Sequence, residues 1–140
     1  MKDFSFLNLY AFLLFYHLLN LIKSTNFKLP SLVSINFTET LSKYDVAVIE
    51  FFSSNDDEQS NLLESNIYNI SLESERFRKL FNKTIYFAKV NASADDRFVH
   101  KFSIVNYPSL YVLFEKYESK HEVKNYENLD LNQLFDFIDS

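Results

Sequence analysis

The chain has no cysteine and no glycine among its 140 residues, and each absence removes a class of chemistry. Without cysteine no disulfide can staple the fold, no thiolate can act as nucleophile or metal ligand, and cysteine usage cannot report the compartment. Without glycine the phosphate cradles are excluded, both the P-loop and the dinucleotide fingerprint, because their backbones approach phosphate where a Cβ would stand in the way. Turns must then be made by Asn, Asp or Ser. Runs of basic residues are also missing, and the net charge of −5 repels a phosphate backbone, so nucleic acid is not an expected partner. What is present is hydrophobic mass: 47% hydrophobic and 18% aromatic residues, enough for a real core and too much for a disordered chain.

Residues 4–22, FSFLNLYAFLLFYHLLNLI, are almost unbroken apolar sequence, with Lys2 before and Lys23 after. The apolar positions run all the way round rather than along one stripe, which argues against an ordinary core helix. The segment reads as a secretory signal peptide over 1–24, with Ser24 as a small residue where a peptidase could cut. It is nearly long enough to span a bilayer, so an uncleaved anchor is the second reading, weakened by Asn8, His17 and Asn20. Residues 25–31, with Pro30, read as a linker, and the folded domain is expected over 32–140.

Within that domain the pattern predicts an edge strand at Leu32-Val33-Ser34 and a short helix over 36–43. Val46 to Phe52 follows, a strand apolar on both faces, as a central parallel strand should be. A helix start at 53–58 leads into a stripe of Leu63, Ile67, Ile70, Phe77 and Phe81, with a bend at Ile70-Ser71-Leu72 and a stop at Asn82-Lys83. Thr84–Val90 is the next buried strand, and a short helix runs from Asp95 to Phe102. Ser109–Phe114 is a strand, Glu122–Tyr126 its hairpin partner, and an amphipathic helix spans 131–138. No internal repeat or low-complexity tract appears.

Four stretches in this order resemble the protein disulfide isomerase family. Glu50-Phe51-Phe52 stands at a strand end where family members read Glu-Phe-Tyr. Asp56-Asp57-Glu58-Gln59 stands where they carry Cys-Gly-His-Cys. Phe87-Ala88-Lys89-Val90-Asn91-Ala92 is similar to their Ala-Lys-Val-Asp-Ala, and Lys101 to Leu110, KFSIVNYPSL, to their Lys-Phe-x-Val-x-Gly-Tyr-Pro-Thr-Leu. Leu62 matches a family leucine, whereas Glu64 replaces a usual proline. The resemblance implies a thioredoxin-like α/β fold, a central mixed sheet flanked by helices and preceded by the hydrophobic signal or anchor segment. It further implies a cis peptide bond before Pro108. The departure falls on the catalytic motif, so Asp56 and Gln59 mark degenerate CxxC positions and no thiol catalysis is expected.

The resemblance also implies a peptide-binding face of Ser54, Asn55, Asp56, Asn106, Tyr107 and Pro108, since pairing with an extended chain needs backbone and not sulfur. Phe51, Phe52 and Tyr107 are expected to supply apolar contact there. Glu50 and Lys89 are candidates for a buried ion pair on neighbouring strands, where losing one partner strands the other. Asp56, Asp57 and Glu58 read as a helix cap complementing the positive helix end rather than as a metal site. His100 and His121 are isolated, with no nucleophile or acid arranged around them. No cofactor or metal is expected. Sequons at Asn36, Asn69, Asn82 and Asn91 add weak support for the secretory route, with Asn82 the best placed acceptor and Asn91 the worst. The expected partner is unfolded or extended polypeptide, or a secretory-pathway protein, in the endoplasmic reticulum lumen; a membrane enters only if 4–22 stay uncleaved. The chain ends without a Lys-Asp-Glu-Leu-like tail, so the expectation is retention by a partner or an anchor, or onward movement along the pathway; one domain of a larger protein is a further reading.

Overall fold

The computed structural model describes residues 3–25, 28–53 and 58–139. A first helix, α1 (Asp3–Thr25), carries exposed apolar side chains from Phe6 to Leu19. Among the described residues no helix is long and apolar enough to cross a membrane.

The rest forms a five-stranded sheet with helices on both faces. In chain order it runs β1 (Ser31–Leu32), α2 (Ser34–Leu41), β2 (Val46–Phe52), α3 (Glu58–Ser71) and α4 (Ser74–Phe81). Then come β3 (Ile85–Asn91), α5 (Asp96–Phe102), β4 (Ser109–Phe114), β5 (Ser119–Val123) and α6 (Leu131–Asp139). The sheet order is β1-β3-β2-β4-β5. β2 pairs parallel with β3 and antiparallel with β4, and β5 closes the antiparallel side.

The pleat divides β2 between two cores. Val46 and Val48 face α3, α4 and α6 with Leu63, Ile67, Phe77 and Leu134. Ala47, Ile49 and Phe51 face α2 and α5 with Phe37, Leu41, Phe98 and Phe102. That two-sided burial is why β2 reads as a continuous apolar run.

Several boundaries differ from the sequence reading. The edge strand is two residues long, because Asn36 Oδ1 accepts from the Val33 N–H at 3.0 Å and starts α2 at Ser34. The hairpin partner is Ser119–Val123, three residues earlier than expected. Its side chains are exposed as far as Glu122, as suits an edge strand, and Val123, paired with Leu110, is the buried anchor that fixes the register. Leu29 belongs to the core rather than to a linker: it is buried, and its N–H donates to Glu64 Oε1 at 3.1 Å. The expected bend at Ile70-Ser71-Leu72 is a full break between α3 and α4, where the Ser71 hydroxyl donates to the Tyr68 carbonyl.

The missing glycines leave a mark on the backbone. Asn82 and Ser103 end α4 and α5 with φ of 51° and 55°, and Glu115 and Tyr117 hold φ of 48° and 65° in the β4–β5 connection. Asn and Ser were expected in such places; Glu and Tyr were not. Each Cβ in this region costs about 1–2 kcal/mol where glycine would cost little.

Candidate functional site

Three strand ends converge at one edge of the sheet. β2 finishes at Phe52, in register with Asn91, the last residue of β3. β4 runs the other way and begins at Ser109, opposite Phe51, which brings Pro108 to the level of Phe52. The end of β2 and the loop before β4 therefore lie side by side. The Tyr107–Pro108 peptide bond is cis, as the resemblance implied. Two hydroxyls hold this loop: Ser109 Oγ donates to the Asn106 carbonyl at 2.5 Å, and Tyr126 Oη donates to the Pro108 carbonyl at 3.2 Å. Asn106 is exposed, Tyr107 half-buried and Pro108 buried. Val105, just ahead of them, is 86% exposed.

Ser54, Asn55, Asp56 and Asp57 lie outside the described residues. Their flanks do not: Phe52 and Ser53 are half-buried at the end of β2, and Glu58 and Gln59 are exposed in the first turn of α3.

The ion pair expected between Glu50 and Lys89 takes a different form. The two are in register across β2 and β3 and share the face toward α3, and Glu50 is 1% exposed. Lys89 Nζ, however, makes its ion pair with Glu64 of α3, at 2.8 Å. The lysine chain is long enough to leave the sheet and meet the helix above it, passing over the Phe52 ring 5.2 Å from its centroid. Glu64 thus ties β3 to α3 through one oxygen and holds the Leu29 backbone through the other. The sequence reading gave Glu64 no role. A signal was there: it falls on the α3 stripe with Ser60, Leu63 and Ile67, at i, i+3, i+4 and i+7, all three buried. Tyr126, which holds the Pro108 carbonyl, carried no such signal.

Phe51 does not supply surface. It is fully buried among Phe98, Phe102 and Tyr111 on the α5 side, because the pleat turns it away from Phe52. His100 is exposed on α5, and His121 is exposed on β5 with its ring 4.8 Å from that of Phe137. Among the described residues no group of acids and histidines could hold a metal ion. A cleft of about 760 Å³ lined by Tyr44, Lys83, Phe114 and His121 lies at the opposite end of the sheet. Of the sequons, Asn69 and Asn82 are exposed. Asn36 and Asn91 are half-buried with their side chains engaged, Asn36 by Val33 and Asn91 by the Ser93 hydroxyl.

No protein-family model and no curated protein sequence matches the chain. Solved structures do. The zinc-bound form of human ERp44 is 22% identical with a TM-score of 0.60, over 80% of this chain and 30% of that one. The first thioredoxin domain of mouse protein disulfide-isomerase A4 is 13% identical with a TM-score of 0.60, over 83% and 81%. The J-Trx1 fragment of ERdj5 is 16% identical with a TM-score of 0.58, over 79% and 52%. The chain thus spans under a third of the ERp44 polypeptide it resembles. The sheet order, the cis-proline loop and these likenesses together give a thioredoxin-like fold in a chain that has no thiol.

Proposed function

We propose that this is a redox-inactive thioredoxin-like domain of the protein disulfide isomerase type that binds unfolded or extended polypeptide, or a partner protein, in the secretory pathway. The observation that carries the reading is the Pro108 loop. It is pinned at two carbonyls and set beside the end of β2, as if to present backbone, in a chain that has no cysteine to present. Exposed Val105 and Asn106 and half-buried Tyr107 and Phe52 supply the apolar and polar contacts for a chain lying in extended form. The proposal extends to Ser54, Asn55 and Asp56 as residues that meet the bound chain. Assistance to folding is then by holding, without thiol exchange.

The secretory assignment rests on the apolar segment 4–22 and on the likeness to a disulfide isomerase domain. Purified protein should slow aggregation of a reduced client, and Tyr107→Ala with Asn106→Lys should weaken that effect. Failure to bind any unfolded peptide would overturn the reading, as would thiol-dependent turnover in an insulin-reduction assay. The exposed apolar surface of α1 favours a second reading, a tethered adaptor whose N-terminal helix is retained. N-terminal sequencing of protein made through the secretory route separates the two: a start near Thr25 removes the tether.

A further inference from the structure

A cavity of about 250 Å³ opens beside the Pro108 loop, between the first turns of α3 and the short turn Tyr126–Asn128. It is smaller than the usual drug-sized pocket of roughly 300–1,000 Å³ and suits a single side chain. Its apolar surface comes from Leu62, Leu63 and Tyr126, and two carboxylates, Glu58 and Glu127, stand in its lining. Leu62 is 56% exposed while Leu63, Ile67 and Ile70 of the same helix are buried, so the opening leaves a leucine uncovered. Tyr126 belongs to both features: it lines the cavity, and its hydroxyl holds the Pro108 carbonyl. Neither Glu58 nor Glu127 forms an ion pair among the described residues.

We propose that this cavity receives a lysine or arginine side chain of the extended polypeptide bound at Pro108. The inference rests on the peptide-binding reading and adds its specificity. A basic side chain has the two parts the lining asks for: a hydrocarbon stem to lie on Leu62 and the Tyr126 ring, and a cationic head to meet the carboxylates. Arginine gains further from lying over an aromatic face and from pairing with a carboxylate through two N–H groups. An acidic side chain is repelled by the same pair, which makes the cavity selective as well as attractive. The preference suits a chain whose own net charge is −5.

The test uses the full chain and labelled extended peptides identical except at one central position, which is Arg, Lys, Met or Glu, with affinity read by fluorescence anisotropy. The Arg and Lys peptides should bind roughly tenfold more tightly than the Met peptide, a gain of about 1.4 kcal/mol from two charge contacts. The Glu peptide should bind most weakly, and the Arg advantage should shrink at high salt. Glu58→Gln with Glu127→Gln should bring Arg down to the Met level and leave Met unchanged. Leu62→Lys, at an exposed position, should also abolish the Arg preference by placing a cation in the cavity, and is not expected to spare the Met peptide, whose side chain lies on Leu62. Glu118→Gln, on the β4–β5 connection, should change nothing. If the Arg and Met peptides bind the native chain equally, the specificity is wrong and the peptide site stands. If no peptide binds, both fall. If the Arg advantage survives the paired substitution and Leu62→Lys, the cavity is the wrong place.

Discussion

The two faces of the sheet are built from different materials. On the α2/α5 face the core is a ring cluster: Phe102 lies 4.8 Å from Phe51, 5.9 Å from Phe37 and 5.8 Å from Tyr111, centroid to centroid. The polar atom in that cluster, the Tyr111 hydroxyl, donates to the Phe102 carbonyl at 2.9 Å, and burial raises its pKa. The α3/α6 face is equally apolar where β2 begins, at Val46 and Val48, but near the end of β2 it carries Glu50, Lys89 and Glu64. These three ionic side chains lie on one face, near the end that meets the Pro108 loop, whereas the exposed Lys101 and Lys120 stand over the rings of the other. Ring packing dominates the first face, with the two lysines at its rim. The second holds Glu50, Lys89 and Glu64, and Glu64 gives the lysine a structural partner.

The largest effect expected from breaking the comparison is on the aromatic face. Phe102→Ala removes a ring paired with four others, Phe37, Phe51, Phe98 and Tyr111, and should cost about 3–5 kcal/mol, read as a lower urea midpoint. On the charged face, Glu64→Leu takes the partner from Lys89 and from the Leu29 N–H and should cost roughly 1–3 kcal/mol. Adding Lys89→Met should recover part of that loss, since the stranded cation is then gone as well. If Glu64→Leu is neutral alone, the ion pair does not hold α3 to β3. A gain is expected at the helix end below the aromatic core: Ser103→Gly relieves a left-handed residue and should add about 1 kcal/mol.

The smallest effect lies at the far end of the sheet. The Thr84 N–H, and then its hydroxyl, donate to Asp45 and hold its carboxyl below the usual carboxylate range. A depressed folded pKa means a contribution fully present above the unfolded value, about 3.9, and lost as pH falls through the folded value. Asp45→Asn should therefore be slightly less stable than the native chain at neutral pH and converge with it in acid. Asp45 is exposed, so solvent screening keeps the difference small.

The fold was legible because its signals are local. β2 declares itself by apolar residues on both faces, and the Tyr107-Pro108-Ser109 step marks where β4 begins. What escaped depends on distant partners. The register of β5 is set by Val123 against Leu110, across a connection whose left-handed Glu115 and Tyr117 no turn rule would select. The ion pair went to Glu64 because a helix passes over the sheet, which strand order does not reveal. Phe51 and Phe52 look alike in sequence, and only the pleat assigns one to the core and one to the site. Tyr126 reaches Pro108 from eighteen residues away.

The central claim is that this end of the sheet receives an extended chain although the protein has no cysteine. Amide NMR shifts on titration with an unfolded, arginine-containing peptide test it most directly. The account predicts changes at Phe52, Ser53 and Val105–Ser109, with little at the free edge of β5. Perturbation confined to β5, or to α1, would contradict it.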